Sequence, residues 1–404
     1  MEALLNKYRI KVNELYIETQ RQLEDFIRAI SDSEFITIDT EFLHEKTYYP
    51  QLCLIQIASE NAMAIIDPLA QLDLDTLLPV LTKEDVLKVF HAGDQDRIIL
   101  FQLLGTPVRP VFDLQRAVLL LGLSQQMSLV AIVRHYCDVY LKKAESFSDW
   151  SQRPLSEEQI SYALDDVRYL PIVYRRVVED LEDLGRISWL NEEFEAMEEE
   201  STYVVDYRET WKRLKGATSL KGQQLAIARE LCSWRELSAQ QRNLPRKWVL
   251  SDEMIVEICR RAPESEKDLC RIRGINNHIN QRAMNEILAA VKTGKDEPEV
   301  RWPTSDRNPI NDSGLSAKMD LMTALLHLRA RESHISSSLL SNHDEMVRLA
   351  AGQREGLPVL SGWRRKLIGD ELLQLLNGAI ALSLRENDLE VTLLSQGDTE
   401  SVEQ

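Results

Sequence analysis

The chain has 404 residues, of which 44% are hydrophobic and 28% are charged. This composition is ordinary for a folded globular protein and excludes disorder over most of the length, and the length itself predicts two to four domains. Apolar runs stop far short of the roughly 20 residues that a membrane span needs. The five cysteines form no C-x-x-C pair, which favours a reduced, cytoplasmic chain over a secreted disulfide scaffold.

The net charge of −17 argues at first against a nucleic-acid partner, but the charge is unevenly distributed. Residues 1–207 carry 19 Lys and Arg against 37 Asp and Glu, residues 208–295 carry 18 against 10, and residues 296–404 carry 11 against 18. A basic segment between two acidic ones predicts a local surface that binds a polyanion. A solvated helical surface rich in Lys and Arg is the alternative, and charge alone does not separate the two.

Strand and helix patterns alternate in the first domain, which is predicted to span residues 1–205. Runs rich in β-branched and aromatic residues predict strands. These runs are Phe35–Phe42, Gln51–Ser59, Ala62–Asp67 and Leu87–His91, with a helix predicted at Asp96–Leu104. From Phe112 onward the apolar residues recur at helical spacing, so the whole segment is predicted to be α/β.

From Thr210 onward helical patterns predominate and strands are not predicted. Amphipathic helices are expected at Leu225–Leu237, Ser251–Arg261 and Asn280–Lys292, which places a helical domain at residues 208–295. A linker at 296–314, a second helical domain at 315–392 and a polar tail at 393–404 follow. Asp-Glu-Met triplets 92 positions apart indicate a weak internal duplication of one helical module.

Acidic residues in three blocks carry the candidate chemistry. Asp39 and Glu41 are two apart in a predicted strand, so both carboxylates project from the same face and suit a divalent cation. In HAGDQD, Asp94 or Asp96 opens a helix directly after a strand. Tyr162 and Asp166 are four apart on a helical pattern and therefore share a face. Four acids and a phenol are what two-metal phosphoryl chemistry requires.

The three blocks DTE, HAGDQD and YALDD resemble the motifs of the DEDD exonucleases, in the subclass with tyrosine in the third motif. Flanking segments, such as TYYPQLCLIQI and SDWSQRPL, are similar to bacterial ribonuclease D. The resemblance covers about residues 20–390. It implies an RNase H-like (DnaQ-like) α/β exonuclease domain with a mixed sheet, followed by two small all-α HRDC-type domains.

The resemblance also implies roles for individual residues. Asp39, Glu41, Asp96 and Asp166 would hold two divalent ions, Mg²⁺ or Mn²⁺, and Tyr162 would orient the attacking water. Asp94 could assist or replace Asp96, with Asp96 favoured, and only Asp166, not its neighbour Asp165, keeps the Tyr-x-x-x-Asp spacing. Asp113, in the segment FDLQ, is expected to cap a helix or support the site rather than bind an ion.

Residues that would contact RNA are less sharply indicated. Phe42, Tyr48, Tyr49 and His91 could stack on a base or contact a phosphate, although Phe42 is more often a core residue at such a position. In the basic segment, Lys212, Arg213 and Lys215 could bind phosphates. The nearby Trp211 and Trp248 could stack on bases or belong to the core, and the core is the preferred interpretation for Trp248.

The leading hypothesis is a 3′→5′ exoribonuclease that releases nucleoside 5′-monophosphates from tRNA precursors and other small structured RNAs with unpaired 3′ ends. A 3′–5′ DNA exonuclease of the same superfamily and a non-catalytic nucleic-acid-binding protein are the alternatives. No membrane association and no obligate protein partner is expected, and a monomer is favoured because no long heptad seam is present.

Overall fold

A six-stranded sheet forms the centre of the first domain. The computed structural model describes residues 13–123, 126–141, 148–275, 279–303, 314–386 and 388–394. The strands are β1 (Asn13–Ile17), β2 (Phe35–Leu43), β3 (Gln51–Ala58), β4 (Ala62–Ile66), β5 (Leu87–Phe90) and β6 (Val111–Asp113), in the order β1-β4-β3-β2-β5-β6. β3 is antiparallel to β2 and β4, and the other pairs are parallel. This is the mixed sheet that the family resemblance implies.

Helices cover both faces of this sheet. They are α1 (Gln20–Ile30), α2 (Asp94–Leu104), α3 (Leu129–Cys137), α4 (Glu157–Arg168), α5 (Leu170–Asp183) and α6 (Asn191–Glu198), with one-turn helices at Leu78–Leu81 and Leu114–Ala117. One buried cluster, which includes Phe26, Ile38 and Val173, forms the main core. A smaller cluster on β3, β4 and α4, which includes Leu54, Ile65 and Ala163, lies under α4. The candidate acids lie beside this smaller cluster.

The four predicted strands are present with ends shifted by at most one residue, but the sequence patterns missed β1 and β6. β1 has five residues and β6 has three, so neither shows a clear alternation. Asp113, at the end of β6, caps the following one-turn helix by accepting hydrogen bonds from the backbone N–H groups of Gln115 and Arg116. The expected capping role of Asp113 is therefore confirmed.

The first helical module, predicted at residues 208–295, has its own hydrophobic core, which runs from Trp211 to Val291 and includes Leu231 and Ile255. Its long helices are α7 (Gln223–Arg242), α8 (Asp252–Arg261) and α9 (Gln281–Asp296), with one-turn helices at Arg246–Val249 and Glu266–Leu269. The side chains of Ser251 and Asn280 cap α8 and α9 by accepting hydrogen bonds from the backbone N–H groups of Met254 and Ala283. Most of the predicted linker at 296–314, namely residues 304–313, lies outside the described residues.

The second helical module contains α10 (Leu315–Glu332), α11 (His343–Ala350) and α12 (Asp370–Leu376), with one-turn helices at Ser337–Leu340 and Gly362–Arg364. It ends in an antiparallel hairpin of β7 (Ile380–Arg385) and β8 (Asp388–Leu393), so the expectation of no strand after Thr210 is wrong. β8 alternates polar and apolar residues, but β7 begins with three consecutive apolar residues, so the hairpin has only a weak period-two pattern. The predicted tail lies outside the described residues beyond 394.

The two helical modules contact the first domain differently. The second module shares one continuous hydrophobic core with it, and the rings of Trp189 and Trp363 stack at 4.7 Å. The first module contacts the β2–β3 loop mainly through polar groups, which are described with the cleft below. Across the described ranges, no helix is long and apolar enough to cross a membrane.

Candidate active site and interdomain cleft

Strand β2 presents Asp39 and Glu41 on the same face of the sheet. The residues before them, Phe35–Ile38, are fully buried, which anchors the strand. The pairing of β2 with β3 shifts register between Glu41 and Phe42. Such bulges bend a strand and re-aim side chains, and they are common beside active sites. The predicted same-face arrangement of the two carboxylates is thus present.

Helix α4 brings a third carboxylate to this face. Ser156 begins the helix with a capping box, and Asp166 lies in its last turn. Asp39, Glu41 and Asp166 each offer a carboxylate oxygen, and these atoms all lie within 4.8 Å of one another. A compact all-oxygen donor set fits a hard divalent cation such as Mg²⁺ or Mn²⁺. One turn earlier on α4, the half-buried Tyr162 packs against Trp150, with ring centroids 6.0 Å apart.

Asp96 lies beside this acid cluster, in the first turn of α2. Its buried carboxylate accepts a hydrogen bond of 2.5 Å from the hydroxyl of Thr40, the residue between Asp39 and Glu41. Gly93 precedes the helix, and a Cβ atom there would lie 2.5 Å from the side chain of Phe90. Glycine at this position therefore allows α2 to begin close to the sheet, which brings Asp96 next to β2.

Burial and mutual repulsion perturb all four carboxylates. Burial, followed by the charges of Asp96, Asp166 and Glu41, raises the pKa of Asp39 well above its usual range. Burial and the charges of Asp166 and Asp96 raise the pKa of Glu41 to about 8. Burial, Asp165 and Asp96 raise the pKa of Asp166 to about 8, and burial raises the pKa of Asp96. Carboxylates in this state need positive charge in order to ionise together.

The acidic residues next to these four, Asp94 and Asp165, instead form ion pairs with arginines. Asp94 forms an ion pair of 2.5 Å with Arg97 and a second of 3.4 Å with Arg116. Asp165 pairs with Arg168 at 2.9 Å. These contacts favour Asp96 over Asp94, and Asp166 over Asp165, as the predicted metal ligands.

The predicted RNA-contacting residues of the first domain do not form one group. Phe42 is partly buried just past the bulge. Burial lowers the pKa of His91, and the charge of the nearby Asp113 only partly opposes this effect. Tyr49 is 39% exposed and packs edge-on against Tyr48. Exposure alone leaves Tyr49 the most accessible of these for stacking on a base.

The side chain of Tyr48 forms part of the contact between the first domain and the first helical module. Its hydroxyl donates to Glu236 at 2.5 Å and accepts from Gln240 at 3.0 Å, and the guanidinium of Arg246 lies 4.9 Å from its ring centre. The backbone N–H groups of Tyr48 and Tyr49 both donate to the side-chain oxygen of Asn243, at 3.1 and 3.0 Å. These bonds join the loop after the acid-bearing strand to α7.

A cleft of about 830 Å³ opens beside this junction, between the β2–β3 loop and the first helical module; we call it the interdomain cleft. The exposed side chains of Arg213, Lys215 and Lys247 line it and form no ion pair with any residue described. Lys212, in contrast, pairs with Glu209 and is not part of the lining. Of the predicted basic trio, the structure brings Arg213 and Lys215 together and separates Lys212.

Trp248 also lines the interdomain cleft and is 50% exposed, so the core assignment preferred from the sequence is wrong for this residue. Trp211 is buried in the core of the module. The apolar residues after Trp248, Val249 and Leu250, are buried, and they misled the sequence argument. The cleft has acidic lining residues as well: Glu236 is bonded to Arg246 and Asp252 to Arg235, while Glu45 and Glu253 lie at the same cleft.

Comparisons with known proteins agree with this geometry. A family model described as a 3′–5′ exonuclease matches residues 15–182, and an HRDC domain model matches residues 224–291. The ribonuclease D of Sphingobium indicum is 37% identical over 93% of this chain and 98% of its own length. That of Zymomonas mobilis is 36% identical over 91% of this chain and 95% of its own length.

Solved structures give the same result. Escherichia coli RNase D, titled an exoribonuclease involved in structured RNA processing, superposes with a TM-score of 0.80 at 28% identity, over 91% of this chain and 99% of that chain. The catalytic core of RRP6 from Trypanosoma brucei shares the fold, with a TM-score of 0.53 at 24% identity over 70% of this chain and 80% of that chain.

The sheet, the acid cluster and these matches define a 3′–5′ exonuclease of the DnaQ-like superfamily that uses divalent metal. Over 90–93% of its length the chain matches curated proteins named ribonuclease D. It belongs to the ribonuclease D family. The predicted α/β exonuclease fold with a mixed sheet and a C-terminal HRDC domain, and the predicted 3′–5′ exoribonuclease activity, are thereby confirmed. The HRDC-type nature of the second helical module stays a prediction.

Proposed function

We propose that the chain shortens RNA from the 3′ end by two-ion hydrolysis and releases nucleoside 5′-monophosphates. One observation carries this proposal: Asp39, Glu41 and Asp166 form a single, partly buried oxygen cluster, with the buried Asp96 beside it. Each of these acids lies where the family resemblance assigns a metal ligand. A buried group of like charges without such a role would only destabilise the fold.

The protein's own groups divide the work. Asp39, Glu41, Asp96 and Asp166 would hold two divalent ions, which supply Lewis-acid activation of water and charge stabilisation at the scissile phosphate. The Tyr162 hydroxyl lies one helical turn before Asp166 and would orient the attacking water by hydrogen bonding. The apolar cluster under α4 would hold Tyr162 and Asp166 in a fixed relation to the sheet.

We infer that the substrates are structured RNAs with unpaired 3′ ends, tRNA precursors among them. Support comes from the similarity to the E. coli enzyme of structured RNA processing and from the basic first module. Arg213, Lys215 and Lys247 would neutralise phosphates, and Trp248 would stack on an unpaired base. The chain is further proposed to act as a monomer in the cytoplasm, without an obligate protein partner.

The test compares a hairpin RNA that has an unpaired 3′ tail with its DNA equivalent. Each is incubated with the full chain and Mg²⁺ or Mn²⁺, with EDTA and Asp39→Asn as matched controls. Stepwise loss of 3′ nucleotides from RNA alone, as 5′-monophosphates, is the expected result. Equal attack on DNA would identify a general 3′ exonuclease, and binding without metal-dependent shortening would identify a non-catalytic binding protein.

A further inference from the structure

One buried polar side chain near the acid cluster has no role in the mechanism described so far. Gln56, in the middle of β3, is fully buried. Neither the amide nitrogen nor the amide oxygen of its side chain has a hydrogen-bond partner among the residues that the structure describes. Most buried side-chain amides are hydrogen-bonded, because an unpaired one carries an uncompensated cost of desolvation. The exception therefore calls for a physical reason.

The register of the sheet places Gln56 directly opposite Asp39 on the neighbouring strand β2. Directly opposed residues of an antiparallel pair point to the same face, with Cβ atoms about 4.5–5.5 Å apart. Gln56 therefore projects from the face that carries the acid cluster. Since glutamine has three rotatable side-chain bonds, its amide can reach the Asp39 carboxylate by rotation.

The same-face neighbours of Gln56 along its own strand and directly across on β4 are apolar. Along β3 they are Leu54 and Ala58, and across the sheet the paired residue on β4 is Ile65. Helix α4 covers this cluster with Ala163 and Val167, both fully buried. A leucine or methionine would fit such surroundings at lower cost than an amide. On β2 the diagonal same-face neighbours are Thr37, whose hydroxyl donates to the backbone carbonyls of Ala58 and Val167, and Glu41, which lies opposite Leu54. Asp39 is the polar side chain directly opposite Gln56, so its carboxylate accounts best for an amide here.

We propose that Gln56 is a positioning residue for the metal site: its side-chain N–H donates to the Asp39 carboxylate when Asp39 holds a divalent ion. The bond would fix the orientation of Asp39 within the cluster. This inference rests on the proposed two-ion function. Groups that orient a metal ligand in this way typically change metal affinity by about 10–100-fold when removed.

The test uses the full chain with Gln56→Met, which keeps the length of the side chain and removes its hydrogen-bonding groups. Leu54→Met is the matched control, because Leu54 is equally buried on the same strand and face but lies opposite Glu41. Mn²⁺ binding is measured by titration calorimetry, and the unfolding temperature is measured in EDTA. Gln56→Leu repeats the measurement if the methionine variant does not fold.

The expected result is a Mn²⁺ dissociation constant that is about 10–100-fold larger in Gln56→Met than in the wild type. Its unfolding temperature in EDTA should equal or exceed that of the wild type, and Leu54→Met should bind Mn²⁺ normally. Mn²⁺ affinity within twofold of the wild type would overturn the inference and leave Gln56 a structural residue, satisfied by a buried water. A wild-type chain that neither binds Mn²⁺ nor shortens RNA would instead overturn the proposed two-ion function itself.

Discussion

The acid cluster and the interdomain cleft are opposite in both charge and burial. The cluster and the adjacent Asp96 bring together four carboxylates, partly or fully buried, whose pKa values are all raised, on a segment with a large excess of negative charge. The cleft exposes basic side chains, Arg213, Lys215 and Lys247, that form no ion pair with any described residue. The first region requires bound cations, and the second attracts an anion from solvent. The difference suggests that chemistry and RNA docking are separable, and variants should affect one without the other.

The largest expected effect comes from Asp39→Asn, which removes one charge from the cluster and keeps the shape of the side chain. Ion binding should fail, and the loss of several kcal/mol of charge stabilisation corresponds to a decrease in kcat of on the order of 10³-fold or more. RNA affinity should persist, because the interdomain cleft is intact. Single-turnover kinetics and filter binding measure the two quantities. Near-normal turnover would remove Asp39 from the mechanism.

Tyr162→Phe tests whether the Tyr162 hydroxyl contributes to hydrolysis at the acid cluster without contributing to RNA binding. Loss of the hydroxyl should lower kcat by about 10–100-fold through poorer orientation of the water, with RNA affinity and Mn²⁺ affinity unchanged. The ring keeps its packing against Trp150, so the fold should be preserved. If RNA affinity fell as much as kcat, Tyr162 would be a binding residue.

The triple change Arg213→Gln, Lys215→Gln and Lys247→Gln tests the docking side. RNA affinity should fall by about tenfold or more, and the slope of log K against log salt should flatten by about 2, since each single-strand phosphate contact contributes roughly 0.7. Hydrolysis of a short oligonucleotide should stay close to wild type. Lys212→Gln is the matched control, because Lys212 pairs with Glu209 outside the cleft lining. An unchanged salt slope in the triple variant would place the docking surface elsewhere.

The raised pKa values make the metal effect on stability depend on pH. In the ion-free fold, Glu41 and Asp166 keep their protons up to a pKa of about 8, whereas unfolded carboxylates ionise near pH 4. Between these values the folded state binds more protons, so these groups lower the free energy of unfolding as pH rises. Bound ions favour the ionised forms, so the stabilisation by Mg²⁺ should grow with pH.

Thermal unfolding of the full chain in EDTA and in Mg²⁺, at pH 6, 7 and 8, measures this effect. The gap between the two unfolding temperatures should widen by a few degrees from pH 6 to pH 8. Asp94→Asn serves as the control, because Asp94 is held by Arg97 and Arg116 rather than by the cluster. A gap that stays constant with pH would contradict the coupling between ionisation and metal binding.

Features set by local sequence were predictable, and features set by distant contacts were not. The alternation in β2 predicts the shared face of Asp39 and Glu41, and the helical spacing of Tyr162 and Asp166 follows from the same kind of argument. Gln56 was missed because its position opposite Asp39 depends on the register between strands. The exposure of Trp248 depends on where two domains meet, for which the sequence has no local signal.

The smallest expected effect tests the junction between the two regions, where the Tyr48 hydroxyl joins the β2–β3 loop to the buried Glu236. Tyr48→Phe should lower the free energy of unfolding by about 1–2 kcal/mol, because Glu236 loses a hydrogen-bond donor while Arg246 still neutralises it. Turnover of a short oligonucleotide should not change, because the acid cluster is untouched. The KM for a structured RNA that spans both regions should rise a few-fold, because the module would hold its position on the catalytic domain less firmly.

Tyr49→Phe is the matched control for Tyr48→Phe, since the described residues offer the Tyr49 hydroxyl no hydrogen-bond partner. Equal KM changes in both variants would mean that the loop contacts RNA directly and that the junction does not position the module.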